Sequence, residues 1–201
     1  GKRGVVIGAG AAGLAAARDL ARYGHAVTVL ERYAVPGGMM VQGIPPFRLP
    51  RELVAREIDQ IRALGVEIRC GVAVPDAASL QRLADEADAV VLAAGTTEPQ
   101  RPELPGVNAV GVLHGLDFLR AANVGKAGPI GRRVVVIGGG FTAVDCARTA
   151  RRLGAELVGM YYRRTVGDMY ITPGEVEEMA HEGIRFEVQC SPVAVVEAEG
   201  R

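Results

Sequence analysis

Short runs of apolar, mostly β-branched residues alternate along the chain with longer segments in which apolar residues recur every three or four positions. The runs Val5–Ile7 and Val134–Ile137 are typical of buried parallel strands, and each precedes a glycine-rich turn. An amphipathic helix is predicted after each turn, over Ala12–Tyr23 and Thr142–Leu153. This order of strand, turn and helix predicts an α/β fold with parallel sheets.

The alternation of strands and helices continues through the rest of the chain. The other predicted strands are Val27–Leu30, Val66–Cys70, Ala89–Ala93, Leu157–Tyr161, Ile184–Gln189 and Val193–Ala198. The other predicted helices are Pro50–Leu64, Ala77–Ala84, Leu116–Ala122 and Gly174–Glu182. Residues 96–108 carry three prolines and no periodicity, so we expect a connector there.

The opening of the chain is repeated at an offset of 130 residues. GKRGVVIGAG at Gly1 aligns without a gap with GRRVVVIGGG at Gly131. Residues 1–31 share eleven identities with residues 131–161, where chance would give about two. Two copies of one nucleotide-binding unit predict two Rossmann-like domains, which we expect to span residues 1–124 and 125–201.

Composition excludes several classes of protein. Of the 201 residues, 49% are hydrophobic and the net charge is zero, which argues against disorder and against a nucleic-acid-binding stripe. No apolar run reaches the roughly 18 residues of a membrane helix. The three cysteines, Cys70, Cys146 and Cys190, lie far apart. Their spacing argues against a disulfide framework, a metal site or an iron–sulfur cluster in this chain and favours a cytoplasmic setting.

The sequence GAGAAG at Gly8–Gly13 fits the G-x-G-x-x-G pattern of a dinucleotide-binding turn. Gly8 permits the tight turn, Gly10 lets a pyrophosphate approach the backbone, and Gly13 lets helix and strand pack closely. The amide groups and the dipole of the following helix favour phosphate at its start. Glu31 ends the second strand, where its carboxylate can accept hydrogen bonds from ribose hydroxyls; the alternative is a solvated strand end.

The double glycine Gly37-Gly38 follows that strand and indicates backbone that passes close to a ligand; the alternative is an ordinary turn. A disulfide reductase of this architecture carries two closely spaced cysteines after this point or in its second nucleotide domain. Here Met39–Gln42 follow instead, and Cys146 is alone in its helix. Thiol–disulfide exchange is therefore not expected.

The sequence GGGFTA at Gly138–Ala143 fits G-x-G-x-x-A, the version of the motif with alanine in the last place. In the gapless alignment the partner of Glu31 is Tyr161, and Arg163 and Arg164 follow soon after. An acid would favour the free 2′-hydroxyl of NADH, whereas arginines bind a 2′-phosphate. The second turn is therefore predicted to bind NADPH in preference to NADH; the alternative is a basic pair on a solvated loop.

More specific motifs surround the two turns. They are GIPPFRLP at Gly43–Pro50, GVEIRCGVAV at Gly65–Val74, DFLR at Asp117–Arg120, GGGFTAVD at Gly138–Asp145 and YRR at Tyr162–Arg164. On these motifs, essentially all of the chain resembles the small subunit of NADPH-dependent glutamate synthase and the flavoprotein part of dihydropyrimidine dehydrogenase. The resemblance implies a glutathione-reductase-like architecture with two parallel-sheet domains, truncated at the C-terminus, and implies that the chain is part of a larger chain or hetero-oligomer.

The resemblance also implies the cofactors and the residues that bind them. For FAD these are Gly8, Gly10, Ala11, Ala12, Gly13, Glu31, Arg32, Gly38, Met39, Arg48, Val74 and Gly95. For NADPH these are Gly138, Gly139, Gly140, Phe141, Thr142, Arg163 and Arg164. The alternative for Arg48 is an exposed loop arginine. Reduced FAD is implied to pass electrons to iron–sulfur centres of a partner domain or subunit.

Two residues depart from the family at the turns. Alanine stands at position 11, where proline is usual, and Phe141 stands where asparagine or aspartate is usual. A polar residue satisfies the amide groups of a helix start better than phenylalanine does, and Thr142 is available for this.

Hydride transfer between nicotinamide and flavin needs no acid–base pair, so no catalytic residue is expected. Two other functions stay open. One is a self-contained flavoenzyme that reduces a small molecule, and the other is a non-catalytic nucleotide-binding scaffold, for which Phe141 is the best support.

Overall fold

The chain divides into two compact units, residues 1–97 and residues 98–201. The structure is a computed structural model, and it describes residues 1–98 and 102–197. The helix at Gly115–Asn123 packs within the second unit, against the helix at Phe141–Arg152. The predicted assignment of residues 1–124 to FAD and of residues 125–201 to NAD(P)H stays a prediction.

The first unit is a parallel sheet with helices packed on it. Its strands are β1 (Arg3–Ile7), β2 (Ala26–Glu31), β3 (Glu67–Cys70) and β4 (Ala89–Leu92), and its helices are α1 (Ala11–Arg22), α2 (Met39–Gln42), α3 (Arg51–Ala63) and α4 (Ala77–Glu86). The strand order is β3-β2-β1-β4. Chain connections therefore reverse direction between β1 and β4, and open α/β sheets bind ligands at the carboxyl ends of strands at such a point.

The second unit repeats this plan with three parallel strands in the order β5-β6-β7. The strands are β5 (Arg133–Ile137), β6 (Leu157–Tyr162) and β7 (Arg185–Val188), and the helices are α5 (Gly115–Asn123), α6 (Phe141–Arg152) and α7 (Pro173–His181). Val144, Met160 and Met179 are fully buried between the sheet and its helices. A short 3₁₀ helix at Val166–Asp168 lies between β6 and α7.

The predicted strands and helices are present within a few residues of their expected bounds, with one exception. Residues 193–197 form no strand, residue 198 lies outside the described residues, and Val193 and Val196 are exposed. The apolar pattern there is not matched by a neighbouring strand among the described residues, and a strand needs a partner for its backbone groups. Part of the predicted connector, residues 99–101, also lies outside the described residues.

The two copies differ by one residue in strand register. The carbonyl of Lys2 accepts a hydrogen bond from Ala26, whereas the carbonyl of Arg132 accepts from both Glu156 and Leu157. The extra residue shifts β6 by one place relative to β2. In the first sheet Ile7 lies opposite Leu30, whereas in the second its equivalent Ile137 lies opposite Tyr161 and not Met160. The gapless alignment of Tyr161 with Glu31 is therefore wrong in structural terms, and the counterpart of Glu31 is Tyr162.

An ion-pair network holds α7 against α6. The buried guanidinium of Arg148 pairs with Glu175, Glu178 and Glu182 at 3.5, 2.6 and 2.8 Å, and Arg152 pairs with Glu182 at 2.6 Å. Burial opposes the ionisation of Glu182, but the hydrogen bonds from the two arginines outweigh it and lower the pKa of this carboxyl below its usual 4.5. The network fixes the α7 end of the segment between β6 and α7.

We expect Glu182→Gln to lower the free energy of unfolding by about 1–2 kcal/mol at pH 7, because it weakens a charged pair that is mostly withdrawn from water. Because the folded pKa of Glu182 is depressed, its contribution is present above the unfolded value of 4.5 and is lost as the pH falls through the folded value. The difference from wild type should therefore shrink at acid pH in urea titrations. Glu177→Gln, on the exposed side of α7, is the matched control and should have little effect at either pH.

Candidate functional site

The first glycine turn joins β1 to α1 and leaves no room for side chains. Gly8 has a φ of +105°, and its amide donates to the carbonyl of Leu30 at 2.8 Å. A Cβ on Gly8 would overlap the carbonyl oxygen of Ala93, and one on Gly13 would overlap the carbonyl oxygen of Gly8. The predicted roles of these two glycines thus have a steric basis in the backbone itself.

The start of α1 is open to an anion. Gly10 is the N-cap residue, and no side chain caps the helix. A Cβ on Gly10 would meet only the Cα of Gly38, at 3.9 Å, and Ala11 and Ala12 are exposed. Free amide groups and the positive end of the helix dipole therefore face a space that a phosphate can enter.

Glu31 is buried and held in one orientation. Only 4% of Glu31 is exposed to solvent, so the alternative of a solvated strand end is wrong. One carboxylate oxygen accepts from the amide of Ala9 at 2.8 Å and the other from the amide of Tyr33 at 2.9 Å. A carboxylate oxygen can accept more than one hydrogen bond, so both oxygens retain capacity for ribose hydroxyls.

The double glycine passes close to the first turn. The amide of Gly37 donates to the carbonyl of Ala9 at 2.8 Å, and a Cβ on Gly38 would lie 2.6 Å from the Cα of Gly10. The two glycines therefore permit backbone to pack on backbone, and the approach of this segment to a ligand stays a prediction. The contact between Gly38 and Gly10 places Met39, the first residue of α2, beside the start of α1.

The segment after α2 is tied together by Arg51, which sequence analysis missed. Its guanidinium donates to the carbonyls of Met40 at 2.8 Å, Ile44 at 2.7 Å and Leu49 at 3.4 Å. Burial lowers the pKa of Arg51 from its usual value. The position of Arg51, directly after GIPPFRLP, was the only signal in the sequence. The predicted FAD residue Arg48 lies half-buried inside the segment that Arg51 holds.

The remaining residues of the first site follow the other strands of the sheet. Arg32 follows β2 and donates to the hydroxyl of Thr97 at 2.5 Å, so it links the segments after β2 and β4. Val74 follows β3 and is half-buried, and Gly95 follows β4 and is exposed, with a φ of +67°. Because the strands are parallel, all of these residues lie at the same edge of the sheet as the glycine turn.

The second glycine turn joins β5 to α6. The amide of Gly138 donates to the carbonyl of Tyr161 at 3.0 Å, as the amide of Gly8 does to Leu30. A Cβ on Gly139 would overlap the ring of Tyr162, whereas one on Gly140 would meet no atom within 4 Å. The middle of this turn therefore also leaves a space beside the backbone.

The start of α6 is likewise without a side-chain cap. Gly140 is its N-cap residue, and Phe141 and Thr142 are its first two helical residues, both exposed. Thr142 therefore does not cap the helix as predicted, because it lies inside the first turn. Ala143 replaces the third glycine of the motif, and its methyl would be only 3.0 Å from a Cβ on Gly138, so glycine at 138 makes room for it.

The end of β6 carries different chemistry from the end of β2. The ring of Tyr162 lies against Gly139, where the first site has the Glu31 carboxylate against Ala9. Arg163 and Arg164 follow and are both exposed. The second site thus has an aromatic ring and two cationic side chains in the region where the first has a buried acid.

Cys70 and Cys146 are in surroundings that disfavour a reactive thiolate. Burial raises the pKa of the Cys146 thiol to about 12, and the charge of Asp145 adds to this effect. Burial, with the charge of Glu31, raises the pKa of Cys70. Within residues 1–98 and 102–197 no cluster of three or more histidine, cysteine, aspartate or glutamate residues could hold a metal ion, and no helix has the length and apolar content of a membrane span.

Comparison with known proteins agrees with this geometry. A thioredoxin reductase structure from Lactococcus lactis superposes with a TM-score of 0.68 at 22% identity over 100% of this chain and 69% of that one. The predicted α/β class with two Rossmann-like domains is thereby confirmed.

Two curated relatives carry the resemblance further. The beta subunit of NADP(+)-dependent formate dehydrogenase from Moorella thermoacetica is 39% identical over 203 residues, which are 100% of this chain and 29% of that protein. The small chain of NADPH glutamate synthase from Escherichia coli strain K12 is 36% identical over 206 residues, 97% of this chain and 44% of that protein. The resemblance to the glutamate synthase small subunit is confirmed, and the chain spans less than half of either relative.

A family model matches nearly the whole chain, residues 2–200. The chain belongs to the pyridine nucleotide-disulphide oxidoreductase family.

Proposed function

We propose that the chain is the dinucleotide-binding part of an FAD-dependent NADPH oxidoreductase, with FAD at the Gly8 turn and NADPH at the Gly138 turn. The observation that carries the proposal is that two uncapped helices, α1 and α6, each begin at a glycine turn with open space beside it. The chemistry that the two cofactors supply when bound is hydride transfer from nicotinamide to flavin.

The first turn suits a cofactor that stays bound. Glu31 is aligned by two backbone amides before any ligand arrives, so little ordering is needed when it accepts ribose hydroxyls. The amides at the start of α1 bind the pyrophosphate. Arg51 is a positioning residue, because it fixes the backbone that carries Met39 and Arg48 without reaching the cofactor itself.

The second turn suits a nucleotide with a 2′-phosphate. Tyr162 takes the place that the Glu31 carboxylate has in the first site, so no acid at that position repels the phosphate or accepts from a ribose 2′-hydroxyl. Arg163 and Arg164 are exposed and can pair with the phosphate oxygens. Both relatives described above carry NADP(+) or NADPH in their names, which supports the same nucleotide here.

The electrons are proposed to pass to iron–sulfur centres in a partner domain or subunit, in a cytoplasmic hetero-oligomer. This rests on the resemblance to proteins named as a beta subunit and a small chain. The raised pKa values of Cys70 and Cys146 argue against either of these two thiols as the acceptor. A self-contained reductase of a small molecule is the second candidate, and a non-catalytic scaffold is the third, supported by the exposed Phe141 ring at the start of α6.

The proposed activity predicts that NADPH added without oxygen to the full-length protein bleaches its flavin absorbance near about 450 nm, a property of flavins in general. Stopped-flow absorbance with NADPH and with NADH gives the rates of reduction. A protein that binds FAD and NADPH but shows no bleaching is a scaffold. A protein that binds no FAD contradicts the proposal at the first turn.

Arg163→Ala with Arg164→Ala should raise the Kd for NADPH about 30- to 100-fold, the loss expected for charged hydrogen bonds worth about 2–3 kcal/mol, and should change the Kd for NADH less than about threefold. Titration calorimetry of the full-length protein provides both constants. Arg22→Ala with Arg56→Ala removes two exposed charges from the first unit and is the control. Equal losses for both nucleotides would show that the pair does not read the 2′-phosphate.

Arg51→Ala should weaken FAD retention at least about tenfold, because three carbonyls lose their donor and the segment that carries Arg48 is no longer fixed. Arg51→Lys should restore part of the affinity, since an ammonium group donates hydrogen bonds without the planar geometry of guanidinium. The measurement is the FAD dissociation rate, followed by flavin fluorescence. Arg56→Ala, exposed on the same helix, should retain FAD as wild type does.

A further inference from the structure

The segment between β6 and α7 returns to the second glycine turn. Tyr170 forms a parallel backbone bridge with Gly140, the N-cap residue of α6. Its side chain is 82% exposed, while its neighbours Met169 and Ile171 pack into the core of the second unit. Because the residues on both sides of Tyr170 are packed in the core, its backbone is held in place while its ring lies outside the core.

Several contacts fix this segment in place. Thr165 and Asp168 form a reciprocal cap of the short 3₁₀ helix, with the Thr165 hydroxyl donating to the Asp168 carboxylate at 2.7 Å. The Tyr162 hydroxyl donates to the backbone carbonyl of Asp168 at 3.1 Å. The ion pairs of Arg148 hold the following helix. The position of Tyr170 beside the turn is therefore set by the fold.

The first unit has no side chain in the corresponding place. The segment after β2 also returns to its glycine turn, but it presents Gly38 to Gly10. The two segments thus reach the same point of the repeated plan, one with a bare backbone and one with an exposed aromatic ring. Core packing does not account for the ring, because the part of Tyr170 that packs inward is its backbone.

We propose that Tyr170 is an adenine-stacking residue of the second dinucleotide site, an inference that rests on the proposed binding of NADPH at the Gly138 turn. The segment that carries Tyr170 begins with Arg163 and Arg164 at the end of β6. β6 is the counterpart of β2, which ends at Glu31. In a dinucleotide-binding fold this strand end lies on the side of the turn that faces the adenosine half of the ligand. An exposed aromatic ring at the glycine turn, on the segment that begins with two arginines, provides a flat face for the adenine base, which stacks on aromatic side chains.

The test uses the full-length protein with FAD bound and 2′,5′-ADP as the probe, because this compound has the adenine and the 2′-phosphate but no nicotinamide. Tyr170→Ala should raise the Kd for 2′,5′-ADP about tenfold, and Tyr170→Phe should stay within about twofold of wild type. Tyr170→Leu keeps bulk without an aromatic face and should resemble the alanine variant. Tyr23→Ala removes a tyrosine that is 80% exposed in the first unit and is the control.

Steady-state kinetics separates stacking from a structural role. The adenine is remote from the hydride, so Tyr170→Ala should raise the KM for NADPH about tenfold and leave kcat within about twofold. A wild-type protein that does not bind 2′,5′-ADP contradicts the proposed NADPH site itself. If the alanine and leucine variants bind 2′,5′-ADP with the same Kd as the wild type, the role of Tyr170 is overturned while the NADPH site is not. Equal weakening in the phenylalanine variant would overturn stacking in favour of a hydroxyl contact.

Discussion

The close packing of backbone on backbone at the first glycine turn is the constraint on which the first unit depends. At Gly8 the chain touches the backbone after β4, at Gly13 the helix touches the turn, and at Gly38 the segment after β2 touches Gly10. Each contact would be lost if a single Cβ were added. Together they hold the uncapped start of α1 against the ends of β2 and β4, so the amides proposed to bind phosphate and the carboxylate proposed to bind ribose have a fixed spacing.

The two copies differ by one residue in strand register and by one side chain at the end of the second strand. Because the carbonyl of Arg132 accepts from two consecutive amides, β6 is displaced by one place and Tyr162 occupies the position of Glu31. A ring thus stands where the first copy has an acid, and Arg163 follows this ring as Arg32 follows Glu31. A gapless alignment cannot detect this, since the eleven identities that define the repeat are in the strand, the turn and the helix, before the inserted residue has any effect. The fold is repeated while the recognition of the nucleotide is changed at the end of one strand.

Most of the fold could be predicted because its signals are local. A few neighbouring residues are enough to predict a strand from a β-branched run, as at Val134–Ile137, or the end of a helix from a glycine that follows it. The residues that sequence analysis missed act over longer distances. Arg51 is the first residue of α3, and its three partners are backbone carbonyls, which have no signature in a sequence. Tyr170 becomes notable only when the bridge to Gly140 is known, and the apolar residues from Val193 onward had the pattern of a strand without a neighbour to pair with.

The two sites also differ in how far their ligand-binding groups are fixed in advance. Glu31 is buried and held by two amides, so binding at the first turn costs little side-chain entropy and dissociation must break a preorganised set of contacts. Arg163 and Arg164 are exposed, so they lose conformational freedom each time a nucleotide binds. Tight binding suits a cofactor that stays with the protein through many turnovers, and weaker binding suits a substrate that must leave after each one. The difference in burial between one carboxylate and two guanidinium groups therefore fits the proposed division of a repeated fold into a resident site and an exchanging site.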